Sequence, residues 1–336
     1  MNEKKTYEDI ARESGLSLAT ISRIFNKNPA VKASTRQKVI DAMEKLGIDT
    51  SLYDLEPKLN GNLIIFNVPS LKNPFYSPIA SSARLNAERH GFSLLVNEDP
   101  LSERSEEAFI KLLKKTKAAG LICANSVEKD RLERLAAIVP TVTCCEAVEN
   151  SIVPFVSIDD EEAAWNAVNY IIGQGRKRIA LINGPSDFKY ASSRFRGYRD
   201  ALKKHGIEVD ESIIGEVGPD MDYDTANALA IQMINSPNPP DAFFCISDVL
   251  AAAAIKACLT RGLRVPEDVM VVGFDNIYIS KIMNPSITTV RQPTTQIGAL
   301  AIEMVIKLMR KETFVKSVYL GTELLIRESS QLQHRD

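Results

Sequence analysis

Apolar positions follow two different rhythms along this chain, and the change between them marks a boundary near residue 62. Up to Gly47 they recur at helical spacing. Thr6 followed by Asp9 is a capping-box signature, in which hydroxyl and carboxylate exchange hydrogen bonds with orphan amides, and Ile10 and Ala11 form the apolar side of a first helix. Gly15 stands where that helix must stop and the backbone must turn. Ser17 can cap a second helix whose inward side is Leu16, Ala19 or Thr20, Ile24 and Phe25. Ser34 to Leu46, with Val39, Met43 and Leu46 on one side, predicts a third. Three such helices make a minimal core, and the first two read as a helix-turn-helix whose second helix suits a DNA major groove. A helical hairpin capping a larger domain is the plainer reading of the pair; the third helix and the N-terminal position favour DNA.

Asp49 to Asn62 is polar and broken by Pro57 and Gly61, so it predicts a linker. From Leu63 the rhythm changes to short, wholly apolar runs separated by amphipathic stretches. The runs are LIIFNV, FSLLV, AGLICA, TVTCC, FVSI, RIALING, DAFFCIS and VMVVGF. Between them, Ser77 to His90, Ser105 to Lys117, Glu161 to Gly173, Arg194 to His205, Asp224 to Ile234 and Leu250 to Arg261 predict helices. Strands apolar on both faces and separated by helices imply parallel sheets covered on both sides. The fold class is therefore α/β, with two doubly wound subdomains behind a helical headpiece, and ligands belong in the crevice outside the carboxyl ends of the strands.

Composition narrows the function. The 336 residues are 45% hydrophobic and 25% charged, and the net charge of −2 excludes a protein that coats itself in Lys and Arg to bind nucleic acid. Met1 to Gly47 is nevertheless mildly basic, with nine Lys and Arg against six acids, so DNA affinity should depend on salt. No apolar run is long enough to cross a membrane and no secretory signal opens the chain, which places the expected protein in the cytoplasm with no membrane partner. The five cysteines show no zinc-type spacing and read as buried small residues. No phosphate-binding Gly-rich loop and no His-Glu-x-x-His motif is present, and His90, His205 and His334 fall at helix ends or in the tail. Neither a cofactor nor a metal is expected, and no enzyme.

The same residues carry a family resemblance. Asp9-Ile10-Ala11, the run Ser14 to Arg23, Asn28, Val31, Thr35-Arg36, Val39, Ala42 and Leu46-Gly47 resemble the headpiece of LacI/GalR-type transcriptional regulators. Lys32 stands where the family usually has Ser, and Ile48 where it usually has Tyr. Asn73 to Tyr76, Gly175 to Ile179, Arg194 to Tyr198, Val265 to Val269, Gly273 to Asn276, Ile287 to Pro293 and Glu323 to Ser329 are similar to the regulatory core of these proteins. Within the family the core is most similar to the cytidine-responsive repressor type around IDDEEAAWNAVNYI and GFDNI. The resemblance implies a periplasmic-binding-protein type I core. The expected domains are a headpiece over 1–48, a hinge over 49–61 and a core over 62–336. The N-subdomain would span about 62–160 and 291–320, the C-subdomain about 161–290 and 321–330.

The resemblance also assigns roles. Arg23 would read a guanine edge through its paired donors, while Leu18 and Ala19 suit a thymine methyl. Thr6, Tyr7, Thr20, Ser22, Asn28 and Thr35 would contact phosphates, and Ser17 opens the same helix. In the family a hinge leucine wedges into the minor groove. Here the hinge motif is missing and that position falls near Pro57, with Leu55 and Leu59 beside it and the acids Asp54 and Glu56 adding unfavourable charge; Leu55 completes the DNA-contacting set. In the core, Phe75 and Tyr76 follow the first strand and would stack on or flank an effector ring. Asp159, Arg194, Asp248 and Asp275 fall at strand ends or helix starts, where mixed charge converging on a cleft holds a polar ligand. By family position Arg194 and Asp275 would grip hydroxyls or ring nitrogens, and Phe188, Tyr190 and Met221 would shape the pocket. Trp165 would be core or cleft wall. The expected protein is an effector-controlled, homodimeric DNA-binding repressor whose partners are double-stranded operator DNA and a nucleoside or sugar. A transport-type binding protein and a doubly wound sugar- or nucleoside-processing enzyme are the rivals.

Overall fold

The computed structural model describes residues 5–28, 31–50, 53, 55, 61–312 and 314–331. The headpiece consists of α1 (Tyr7–Ser14), α2 (Leu18–Phe25) and α3 (Ala33–Lys45). The Asp9 carboxylate receives both the amide and the hydroxyl of Thr6, at 2.9 and 3.0 Å, which holds its pKa below the ordinary carboxylate value. Gly15 ends α1 at φ +69°, a conformation that Cβ-bearing residues adopt at a cost. Ser17 caps α2 by accepting from the Thr20 amide at 3.2 Å. Ile10, Ile21, Ile24, Val31, Val39 and Met43 form the headpiece core, each worth roughly 1.5–3 kcal/mol when fully buried.

The inward stripe of α2 differs from the one its spacing predicts. Ile21 and Ile24, three residues apart, are fully buried, whereas Ala19 faces outward and Phe25 is half-buried. Two positions span 200° of an α-helix, so burying Ile21 turns Ala19 away from the core. On α3, Ala42 is buried beside Val39 and Met43, and Leu46 only half.

Two six-stranded sheets follow among the described residues. The first is built from β1 (Leu63–Val68), β2 (Ser93–Glu98), β3 (Gly120–Cys123), β4 (Thr141–Cys144), β5 (Phe155–Ile158) and β11 (Val318–Leu320), in the order β11-β5-β4-β3-β1-β2, every pair parallel. The second contains β6 (Ile179–Asn183), β7 (Ile214–Glu216), β8 (Ala242–Cys245), β9 (Met270–Asp275), β10 (Thr288–Arg291) and β12 (Glu323–Leu325), in the order β12-β10-β9-β8-β6-β7. Its edge strand β12 pairs antiparallel with β10. That departs from the expected all-parallel arrangement, because the chain enters β12 directly from the first sheet, without a crossover helix to reverse its direction.

Among the described residues the chain passes between the sheets three times: after β5 into α7 (Asp160–Gly173), after β10 into α12 (Thr294–Met309), and from β11 to β12. The helix pairs α4 (Tyr76–Arg89) with α12, and α7 with α8 (Lys189–Lys204), pack closely. At Gly197 a Cβ would collide with the Glu161 carbonyl, and at Gly298 with that of Ile79, so glycine sets both approaches.

Among the described residues three α-helices escape the apolar-run reading, the four-residue Ile279–Ile282 and two longer ones. One is α6 (Lys129–Ile138), whose inward face is only Leu132 and Leu135; the other is α12, apolar on most sides because it packs against both α4 and the first sheet. More consequential for the site, α8 begins at Lys189, five residues before its expected start at Arg194. Tyr190 and Arg194 thereby come to lie one turn apart on one helix face.

Candidate functional site

On the headpiece, Ser17, Leu18, Ala19 and Arg23 project from the outward face of α2, opposite the buried Ile21 and Ile24, and Leu18 is 49% exposed. Thr6 and Tyr7 are exposed at the start of α1, while Thr20, Ser22, Asn28 and Thr35 are half-buried. Tyr7 stacks obliquely on Phe25, centroids 4.5 Å apart, and Phe25 meets Tyr53 edge-on at 5.7 Å. The face therefore combines apolar groups, hydroxyls and one exposed guanidinium. Arg36 turns inward instead, donating from Nη2 to the Val31 carbonyl at 3.2 Å.

Leu55 occupies a different place from the DNA-contacting one expected of it. It is 7% exposed and packs into the headpiece core with Ile10, Ile21 and Met43. Removing an apolar side chain from water favours this internal site in the absence of a duplex. Pro57, Leu59, Asp54 and Glu56 lie outside the described residues.

The second site lies where the carboxyl ends of both sheets meet. Its cavity is lined by Asn73, Phe75, Tyr76, Cys145 and Ile158 from the first body, Asp160, Tyr190, Arg194, Met221, Ile246 and Asp275 from the second, and the crossover residue Gln292. Arg194 is the central group: Nε donates to Asp160 Oδ1 at 2.9 Å, Nη1 donates to the Ile246 carbonyl at 2.7 Å, and Nη1 lies 3.7 Å from Asp275 Oδ1. Its guanidinium sits 3.6 Å from the Phe274 ring centroid and 5.3 Å from that of Tyr190. Gln292 Nε2 donates to Asp275 Oδ1 at 2.7 Å, so a residue of the crossing chain fixes this carboxylate.

Burial dominates the electrostatics. It pushes the Asp275 carboxyl up to about 7 against the opposing pull of Arg194, and raises Asp160 despite the same partner. Asp275 and Asn276 both adopt left-handed backbone, at φ +102° and +56°; non-glycine residues held this way are concentrated at functional sites. Asp160 Oδ2 is buried without a hydrogen-bond partner. The cavity measures about 20 Å³, against roughly 300–1,000 Å³ for ordinary small-molecule sites. The cleft is thus closed down, and a ligand with a ring must separate its walls. A groove of about 930 Å³ shares the Asp275 and Gln292 wall. It is open to solvent, and the buried charges that would orient a ligand lie in the smaller cavity.

Of the expected effector residues, Phe75, Tyr76, Tyr190, Arg194, Met221 and Asp275 line one cavity. Three do not. Asp159 is exposed and caps α7 by accepting from the Glu162 amide at 3.0 Å; its neighbour Asp160 points inward instead. Phe188 sits a layer behind, its ring 5.3 Å from that of Tyr190. Asp248, at the start of α10 (Asp248–Thr260), is fully buried below the cavity, where Oδ2 accepts from the Ile277 amide at 2.8 Å and so holds the Asp275 loop. Unanticipated lining comes from Asn73, Cys145, Ile158, Asp160, Ile246 and Gln292. The adjacent pair Asp159-Asp160 carried a signal for one of them, since consecutive residues at a helix start point in different directions. Trp165 lies on α7 under the Lys204 ammonium, 4.4 Å from its ring, away from the cavity lining. Cys145 is half-buried at the cavity and the other four cysteines are buried. Among the described residues no cluster of His, Cys, Asp and Glu could hold a metal, and no helix is long and apolar enough to cross a membrane.

Comparison with known proteins matches residues 6–50 to the bacterial regulatory proteins of the lacI family and residues 168–330 to the periplasmic binding protein-like domain. The chain is 32% identical to the HTH-type transcriptional repressor CytR of Escherichia coli (strain K12), over 97% of this chain and 96% of that protein. Among solved structures, the transcriptional regulator CelR–cellobiose complex superposes with TM-score 0.73 at 28% identity, covering 97% of this chain and all of that one. An uncharacterized protein from Actinobacillus succinogenes gives 0.74 at 33% identity, covering 80% and 99%.

Proposed function

The chain belongs to the LacI family of bacterial regulatory proteins, and on that premise we propose that it is a homodimeric repressor whose grip on a two-fold operator is set by a nucleoside or sugar held between its two sheets. It is a DNA-binding transcriptional regulator controlled by a small molecule, not an enzyme. The observation that carries the proposal is the division of α2: Ile21 and Ile24 are fully buried while Leu18, Ala19 and Arg23 stand outward together. Arg23 reads a guanine, Leu18 and Ala19 meet thymine methyls, and Thr6, Tyr7, Ser17, Thr20, Ser22, Asn28 and Thr35 position the headpiece on phosphates. A two-fold protein sets two such helices about one turn of duplex apart, which suits a palindromic site in the cytoplasm.

Phe75, Tyr76, Tyr190, Arg194, Asp160 and Asp275 grip the effector. Aromatic faces beside carboxylates with spare acceptors suit a ring bearing hydroxyls. The nucleoside is favoured by the sequence likeness around Ile158 to Ile171 and Gly273 to Ile277; cellobiose in the CelR relative keeps the sugar class alongside it. Such a ligand changes DNA affinity only by its differential affinity for the two subdomain arrangements. Genome-wide footprinting followed by anisotropy on the recovered duplex, with cytidine, D-ribose and cellobiose as probes, tests the reading. A two-fold site whose affinity one probe shifts supports it; equal affinity for scrambled duplex rejects it.

A further inference from the structure

One buried carboxylate outside the cavity lining bridges the two bodies. Glu146 follows β4 of the first sheet by two residues, yet its Oε2 accepts from the Lys189 amide of α8 at 3.1 Å and also faces the Tyr190 amide. These are the opening residues of a helix that belongs to the second body. Glu146 is 3% exposed, and its Oε1 has no hydrogen-bond partner. Two lighter contacts cross the same cleft: Ser126 Oγ donates to the Asp187 carbonyl at 2.6 Å, and the exposed Lys72 lies 3.8 Å from Asp220. Resting on the effector-site reading above, we propose that Glu146 is a latch between the two subdomains, a positioning residue that docks the start of α8 across the cleft and so sets Tyr190 and Arg194 against the effector.

A helix start offers orphan amides, so a carboxyl oxygen that accepts from them across the cleft, as the neutral acid also can, ties the two bodies together. Opening the cleft hydrates Glu146 and leaves those amides to water. Tyr190 and Arg194 leave α8 within its first two turns, so release of the latch moves the wall they form. The titratable and charged groups facing Glu146 are Asp160 from α7, Lys189 and Tyr190 from α8, Tyr76 from α4, and the thiols of Cys123 and Cys145. Burial, with Asp160 adding to it, pushes the Glu146 carboxyl up to about 8 in the closed arrangement. Closure therefore takes up a proton. It is favoured below the ordinary carboxylate range and weakens as pH rises through about 8.

The test is hydrogen exchange of the full chain as wild type, Glu146→Ala and Glu146→Gln, read over residues 70–76 and 124–127 on one wall and 186–192 on the other. The Ala variant is expected to speed exchange on both walls at least about tenfold at pH 7, and the Gln variant, which keeps an acceptor, to restore most of the protection. Corrected for intrinsic rates, wild-type exchange on both walls rises from about pH 5 to about 8 and levels off above that, and the Gln variant does not follow. Acceleration confined to the first turn of α8 marks a local cap and overturns the latch, as does no change or a Gln variant as open as Ala. Anisotropy on footprinted duplex with the same proteins keeps the two readings apart: loss of site preference in the wild type removes the regulator, and the exchange result stands or falls by itself.

Discussion

The headpiece and the cleft between the two sheets solve opposite problems with the same chain. In the headpiece the outward side chains of α2 come from one stretch of eight residues, Leu18 to Phe25, and the helix is held from behind by Ile21 and Ile24. In the cleft, Asn73, Cys145, Asp160, Arg194, Met221, Asp275 and Gln292 come from widely separated segments, and charge is buried rather than displayed. A local site stands or falls with one small apolar core. A dispersed one depends on ion pairing and on how two bodies sit against each other.

The largest effect is expected from Arg194→Ala. It strands the buried Asp160 and Asp275 carboxylates without their guanidinium, and removing one partner of a buried pair costs about 3–5 kcal/mol. Urea unfolding of the core should register that loss, and DNA binding should cease to respond to effector while the headpiece still engages a site. Ile24→Ala is the complementary break: its side chain is fully buried in the headpiece core, and truncation costs about 2–5 kcal/mol, enough to abolish DNA binding by a three-helix unit. Calorimetric titration with effector should be unchanged.

Arg23→Ala acts on the displayed side. It is expected to remove about 1–3 kcal/mol of discrimination between the chosen site and a site altered at one base pair. Equal losses on specific and random duplex would reassign Arg23 to phosphate. On the buried side, Asp275 contributes stability that is complete below the unfolded carboxylate pKa and is lost as pH rises through about 7. Core stability should therefore decline from about pH 4 to 7, and Asp275→Asn should flatten that slope by up to about 1.4 kcal/mol per pH unit. An unchanged slope would show that Asp275 does not titrate in this range.

The two regions also differed in how much their residues disclosed. Thr6 with Asp9, Gly15 and Ser17 marked the helix ends because caps and turns are set by neighbours in sequence. The eight apolar runs from LIIFNV to VMVVGF all became strands: seven are buried on both faces, which leaves an uninterrupted apolar signal, and the edge strand β2 is only partly covered. Strands β7, β11 and β12, three residues each and partly exposed, carry no such signal. In the cleft, strand ends pointed to the right neighbourhood but not to the right side chain. Asp159 and Asp160 are adjacent, and only the direction in which α7 leaves the sheet decides that Asp160 meets Arg194. Asp248 looked like a ligand group and instead supports the Asp275 loop from beneath. Glu146 gave no local sign, because its partner amides are supplied by a helix 43 residues away. Leu55, expected beside the duplex, is drawn into the headpiece core because burial there removes its apolar side chain from water.

A small basic headpiece reads the duplex, and a two-bodied core decides how tightly. Anisotropy of the footprinted two-fold duplex tests it most directly, measured against scrambled duplex at two salt concentrations, with and without cytidine, D-ribose or cellobiose, for wild type and Arg194→Ala. The expected result is a preference for the two-fold site that falls steeply with salt, and a shift by one of these ligands in wild type alone. Equal affinity for both duplexes, or a ligand shift that survives the loss of Arg194, would contradict it.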